Sequence, residues 1–207
     1  GSTFDIQSTR LFRDPGAWYH LVYVWDTTQA TNTNRIKCYA NGEAVTLHVN
    51  SGGFPSQNAD LEFNSTVLHS IGGTSYNYDG LIAEVNFVDG QALTPASFGE
   101  TDSDTNQWKA IKYGGTYGTN GFYLDFSDSS SLGTDSSGNG NNYTPANLAA
   151  TDQVKDSPSN NFCTLNPLDT DTFSGYSLVE GNLEMKCSST AHTGRVRSTF
   201  NIDSGKW

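Results

Sequence analysis

The stretch RIKCYANGEAVTLHV, residues 35–49, constrains the fold more than any other. Its Asn41-Gly42 pair separates two runs in which apolar and polar residues alternate. A repeat of two places successive side chains on opposite faces of a β-strand. Asn and Gly tolerate the positive φ of a type I′ turn, whose twist matches that of the strands it joins, so a hairpin is predicted here. No 3.6-residue periodicity is sustained anywhere in the chain. WYHLVYVWD (18–26), TVLHSIGG (66–73), DGLIAEVNFVDG (79–90) and GFYLDFSD (121–128) read as further strands. They are separated by polar loops such as TTQATNTN (27–34) and SSSLGTDSSGNGNNYTP (129–145). The first strand is apolar on both faces, with Val22 and Val24 on one and Leu21, Tyr23 and Trp25 on the other. That pattern predicts a central strand covered on both sides. Thr94-Pro95 marks one short helical turn, with Pro at the first helical position. The fold class predicted is all-β, an antiparallel two-sheet sandwich.

Composition sets what such a sandwich can contact. Hydrophobic residues make up 35% and aromatics 12%, so the core rests on large rings. The formal charge is −11 with no local cluster of Lys or Arg. A surface of that sign repels phosphate backbones, which argues against nucleic acid, and repels anionic membrane surfaces too. No window approaches the ~20 apolar residues of a membrane-spanning helix, so no membrane insertion is expected. No basic segment followed by an apolar run suggests a signal peptide. Cys38, Cys163 and Cys187 match neither a disulfide framework nor a zinc site. Cys38 sits in an alternating strand as a small buried hydrophobe. Reduced thiols fit folding in a cytoplasm.

The elements AWYHLVYVWD, RIKCYANGEAV, HSIGG and YDGLIAEVNFVDGQALTPASF follow one another in the order of a known family. Over roughly residues 10–100 the chain resembles the laminin-G-like branch of the concanavalin A-like lectin/glucanase superfamily. The resemblance implies a jelly-roll sandwich and makes His20 a structural residue of the W-x-H strand. The run from DGQALTPASF to SSGNGNNYTP, followed by NPLD and SGKW, is similar to large virion proteins of marine tailed phages. In those proteins the last strand opens a SPRY-like sandwich. The implied organisation is a laminin-G-like sandwich over 1–100 and a strand with a Gly/Asn loop over 101–150, which closes that sandwich or opens another. A linker and lead-in strands to a SPRY-like domain then cover 151–207. Both ends of the sequence read as cuts within a longer polypeptide. The implied setting is a virion surface, reached from synthesis in a host cytoplasm. Its partners would be other virion proteins, host cell-surface polysaccharide and further copies of the chain, three if it forms a fibre.

Glucanases of the superfamily carry three acids on one strand, and Glu84, Asn86 and Asp89 stand at the matching positions. Glycoside hydrolysis needs two carboxyls about 5–5.5 Å apart for retention or about 6.5–9.5 Å for inversion. On a regular strand Glu84 and Asp89 point to opposite faces and are separated by roughly 16 Å, five residues of ~3.3 Å each. The middle acid is an amide. With Leu81, Ala83, Val85 and Phe87 as the core face, this is read as a structural strand, and no enzyme is expected.

Two kinds of binding site remain as expectations. Tyr76, Tyr78, Tyr113 and Tyr117 lie in polar or glycine-rich loops, where an exposed ring could stack on a sugar or form a lid over a sandwich end. The resemblance also brings in calcium, a hard cation that prefers oxygen. Asp26, Asp79, Asp135, Asn139 and Asn141 offer such oxygens, Asp135 and Asn139 first among them. Asn and Asp also populate loops for conformational reasons alone. Two readings of function stand. One is a virion adhesion protein (tail fibre or surface appendage) whose lectin-like sandwich contacts glycans, with a purely structural role as a sub-case. The other is a secreted carbohydrate-active enzyme or its carbohydrate-binding module.

Overall fold

A computed structural model describes residues 4–14, 16–73, 78, 80–159, 163–170, 176–179, 182–187 and 196–199, with backbone only for 167–170. Two compact units are formed, one from residues 1–11 and 19–159, the other from 12–18 and 160–207. The first contains β1 (Asp5–Ser8), β2 (Leu21–Trp25), β3 (Ile36–Ala40), β4 (Glu43–Val45) and β5 (Leu47–Ser51). It continues with β6 (Val85–Phe87), β7 (Gly99–Thr101), β8 (Trp108–Ala110) and β9 (Phe122–Leu124). The second contains β10 (Leu165–Thr170), β11 (Tyr176–Val179), β12 (Glu184–Cys187) and β13 (Val196–Ser198).

Among the described residues every strand pairing is antiparallel. Helical structure among the described residues is limited to three 3-10 turns, at Asn32–Asn34, Pro95–Ser97 and Ala150–Asp152. None is long and apolar enough to cross a membrane. The molecule is all-β, as its alternating sequence predicts.

The Asn41-Gly42 hairpin forms between β3 and β4, with φ of 50° and 80° at the two turn residues. β3 is the middle strand of the sheet β2-β3-β4 and supplies its core residues Ile36, Cys38 and Ala40. The thiol of Cys38 is buried, as expected, and all three cysteines are free. The Pro95 turn also forms where predicted.

Four strand expectations are corrected. β2 is not covered on both faces, because Leu21 and Tyr23 are 41% and 49% exposed. In register, Tyr23 lies opposite Cys38 and Trp25 opposite Ile36. The rings of β2 therefore lie beside the buried Cys38 and Ile36, with Trp25 half-buried and Tyr23 open to water. Residues 66–73 form no strand, and Val67 and Leu68 are exposed. Alternation without a ladder partner does not hold an extended chain. The strand expected over 79–90 shrinks to β6, because Glu84 takes φ of 52° and breaks the extended backbone one residue before it. β9 is shortened in the same way by Phe126 at φ of 53°.

β6 and β9 pair with Val85 opposite Leu124, Asn86 opposite Tyr123 and Phe87 opposite Phe122. Opposed residues in an antiparallel pair share a face. One face thus carries Val85, Phe87, Phe122 and the buried Leu124, with the Phe87 and Phe122 rings 5.5 Å apart. The other carries Asn86 and the buried Tyr123.

SLVEGNLEMKC, residues 177–187, reads as two short strands about a Glu180-Gly181-Asn182 turn, and in the second unit β11 and β12 pair accordingly, Tyr176 with Cys187 through Val179 with Glu184. β10 pairs with β13. The SGKW segment lies outside the described residues.

Candidate functional site

The strand with the acidic pattern comes first. Glu84 is exposed in the left-handed region, which a residue with a Cβ adopts only at a cost of roughly 1–2 kcal/mol. Asn86 is fixed at both ends of its amide. Its Oδ1 accepts the Tyr117 hydroxyl at 2.7 Å, and its Nδ2 donates to the Glu84 carbonyl at 3.3 Å. Asp89 has left the strand for a turn. Its Oδ1 accepts from Asn64 Nδ2 at 2.8 Å, and its Oδ2 accepts the Asn120 backbone N–H and Nδ2, each at 3.2 Å. Two of the three positions are thereby committed to holding loops 64, 117 and 120 together.

Tyr117 and Tyr113 do not present rings to solvent in the way their loop setting suggested. Tyr113 is 9% exposed, its ring 5.1 Å from Phe98 on one side and 5.1 Å from Tyr117 on the other. Tyr117 is half-buried and continues the row to Tyr123 at 6.2 Å. Burial first, then neighbouring hydroxyls and the Asp135 and Glu84 carboxylates, pushes the Tyr117 hydroxyl up to about 12. Tyr123 is likewise raised to about 12, by burial and then by Glu84 and Asp125. Both stay neutral donors at any ordinary pH. Tyr78 is the candidate that is open, at 58% exposure, its hydroxyl donating to the Leu81 carbonyl at 3.3 Å. Tyr76 and Asp79 lie outside the described residues.

Asp135, Asn139 and Asn141 do meet in one loop, where they serve the backbone. Asp135 is buried, and each of its oxygens accepts two hydrogen bonds. Oδ1 takes the N–H of Tyr123 and of Ser137, and Oδ2 takes the Ser137 hydroxyl and the Asn141 N–H, all at 2.9 Å. Burial raises its pKa, yet these bonds outweigh it and hold the carboxyl below the usual range. Asn139 Nδ2 donates to the carbonyls of Gly118 and Gly121, and Asn141 Nδ2 to those of Thr119 and Gly121. The lone pairs a calcium ion would need already face N–H and O–H donors, so this arrangement does not fit a cation. Asp26 is engaged similarly by Thr28 and Gln29. Among the described residues, no group of three or more His, Cys, Asp or Glu is placed to hold a metal ion.

The feature that sequence reasoning missed is a row of rings on β2. Tyr23 and Trp25 lie two residues apart on one face with centroids 5.7 Å apart, and Phe63 leans on Trp25 at 4.4 Å. Phe63 is 46% exposed. One residue further, Asn64 makes the bond to Asp89 described above, so the row ends beside a polar network. The alternation of Leu21, Tyr23 and Trp25 was visible in the sequence, but it could not tell a covered face from an open one. Exposed rings held by one another present apolar area at low entropic cost, and the C–H faces of sugars pack on such area.

Residues 1–98 match the laminin-G-type model of the concanavalin A-like lectin/glucanases superfamily. The antiparallel all-β architecture is consistent with the sandwich of that superfamily. No curated protein and no solved structure matches the chain. The superfamily contains both lectins and glucanases.

Proposed function

We propose that residues 1–98 are a non-catalytic, lectin-like domain that binds a surface polysaccharide through the Tyr23–Trp25–Phe63 row. The observation that carries this reading is a row of three rings, the exposed Tyr23 and Phe63 packed on either side of the half-buried Trp25, on residues that match a lectin/glucanase superfamily. Isolated apolar residues on a surface are ordinary, but a contiguous aromatic group marks a contact site. A setting in a virion adhesion protein, such as a tail fibre, goes with it. It rests on the likeness of the stretch after Asp89 to phage virion proteins. In that setting other virion proteins and further copies of the chain complete the assembly.

The test is affinity electrophoresis of the chain through gels containing bacterial and algal polysaccharides, with calcium and with chelator. Retardation by at least one polysaccharide, lost in Phe63→Ala, is the expected result. Free migration in every gel under both conditions overturns the reading.

One observation favours the enzymatic alternative. Glu84 is an exposed carboxylate in a strained backbone conformation, and its charge adds to burial in raising the Tyr117 and Tyr123 hydroxyls. Backbone strain collects at working sites. Release of reducing sugar that disappears in Glu84→Gln would establish hydrolysis in place of binding.

A further inference from the structure

We propose that His20 and Trp108 form an acid-released latch, which holds the β7–β8 hairpin against the start of β2. The indole Nε1–H of Trp108 donates to Nδ1 of His20 at 2.9 Å, across 88 residues of chain. The two rings lie nearly parallel, with centroids 5.9 Å apart and planes inclined by 28°. An indole N–H can only donate, so Nδ1 must be the unprotonated nitrogen of a neutral imidazole. Protonation turns that acceptor into a second donor, and the two N–H groups then oppose each other.

The surroundings make this contact a docking point. The Trp108 ring lies over Gly42 in the β3–β4 turn and over Gly99 in β7, and a Cβ at either glycine would collide with it. His20 is itself anchored to that turn, since its N–H donates to Asn41 Oδ1 and its carbonyl accepts the Asn41 N–H, both at 2.8 Å. Trp108 thus brings β8 against the β3–β4 turn and the start of β2.

Among the described residues, the carboxylates on the neighbouring elements are engaged elsewhere. On β7 and β8, Glu100 stands opposite Lys109 in register and pairs with it at 3.2 Å on the face away from Trp108. Asp102, in the turn between them, is taken by Asp104, Thr105 and Lys109. On β4, the exposed Glu43 lies 4.0 Å from Arg10. On β3, Lys37 alternates to the opposite face from Cys38. On the His20 segment itself, the titratable neighbours are Tyr19 and Tyr23, and the Tyr23 hydroxyl is raised by burial. The ion pairs among the described residues leave His20 out. Burial lowers its pKa from the usual histidine value, so release falls on the acid side of pH 6.5.

The latch stands whether or not the domain binds a glycan. It is tested on the whole chain by NMR, following exchange of the Trp108 indole N–H at pH 7.5 and pH 5.0, corrected for intrinsic exchange. At least a tenfold loss of protection at pH 5.0 is expected in the wild type, and less than twofold in His20→Gln, whose amide oxygen accepts at both pH values. Equal protection at both pH values in the wild type overturns the latch. So does a loss in His20→Gln that matches the wild type. If that variant does not fold, wild-type titration decides. The Trp108 indole and β7–β8 amide shifts must follow the His20 imidazole curve, and shifts that follow a carboxylate instead overturn the proposal.

Discussion

The hydroxyl of Tyr117 donates to the Oδ1 of Asn86 at 2.7 Å, joining two residues 31 apart in the chain. The bond lies on the face of β6 and β9 where Asn86 stands opposite Tyr123. It gives the amide at the centre of the acidic pattern a structural task, as anchor for the loop that carries the tyrosine row.

Removing that anchor leaves a half-buried amide oxygen without its donor. Tyr117→Phe keeps the ring packing on Tyr113 and Tyr123 and is expected to cost about 1–2 kcal/mol. Urea unfolding at pH 7 measures it. Since the hydroxyl titrates only near 12, the difference between variant and wild type should be constant from pH 6 to pH 9.

Asp135 is the second anchor, holding β9 to the glycine-rich loop through four hydrogen bonds. Asp135→Asn turns one acceptor oxygen into a donor facing other donors, and a loss of about 1–3 kcal/mol is expected at neutral pH. The sign of the pH dependence follows from its lowered pKa. The ionised group stabilises the fold fully above the unfolded carboxyl value, about 3.9, and that contribution disappears as pH falls through the lower folded value. The stability gap between the two proteins should be full above about pH 5 and should narrow only as pH falls from about 4 toward the lowered folded value.

Arg35 is a buried cation whose charge is met by carbonyls. Its Nε, Nη1 and Nη2 donate to Gln29, Pro55 and Ala30 at 2.8, 2.8 and 2.9 Å. One guanidinium thereby ties the loop before β3 to the loop around Pro55. Lysine carries the charge without the planar fork. Arg35→Lys is expected to lose about 2–3 kcal/mol, a charged hydrogen bond being worth roughly 1.5–3. Limited proteolysis should show new cleavage within 27–34 and 54–58.

The ring row offers a contrast. Phe63 is half out of contact with protein, so Phe63→Ala should change stability by no more than about 1 kcal/mol. Affinity for a retained polysaccharide should fall at least about tenfold, which corresponds to about 1.4 kcal/mol. Isothermal titration beside thermal melting separates the two effects. Loss of folding without a selective loss of binding would place Phe63 in the core.

Local chemistry wrote the all-β class, the Asn41-Gly42 turn, the Pro95 turn and the hairpin of β11 and β12 into the sequence. In each of these, the residue types set the φ angles or the alternation directly. Partners distant in the chain were a different matter. The sequence placed Tyr113 and Tyr117 in a loop, and only their packing against Phe98 and Tyr123 turned them inward. It offered Asp135 as a free oxygen donor, whereas the backbone of Tyr123 and Asn141 claims that carboxylate. It assigned Leu21, Tyr23 and Trp25 to a covered face, because alternation records which side chains share a side and says nothing about where the covering layer stops. Which N–H meets which oxygen, and which ring is left in water, depends on contacts between segments tens of residues apart, and those are set only when the chain has folded.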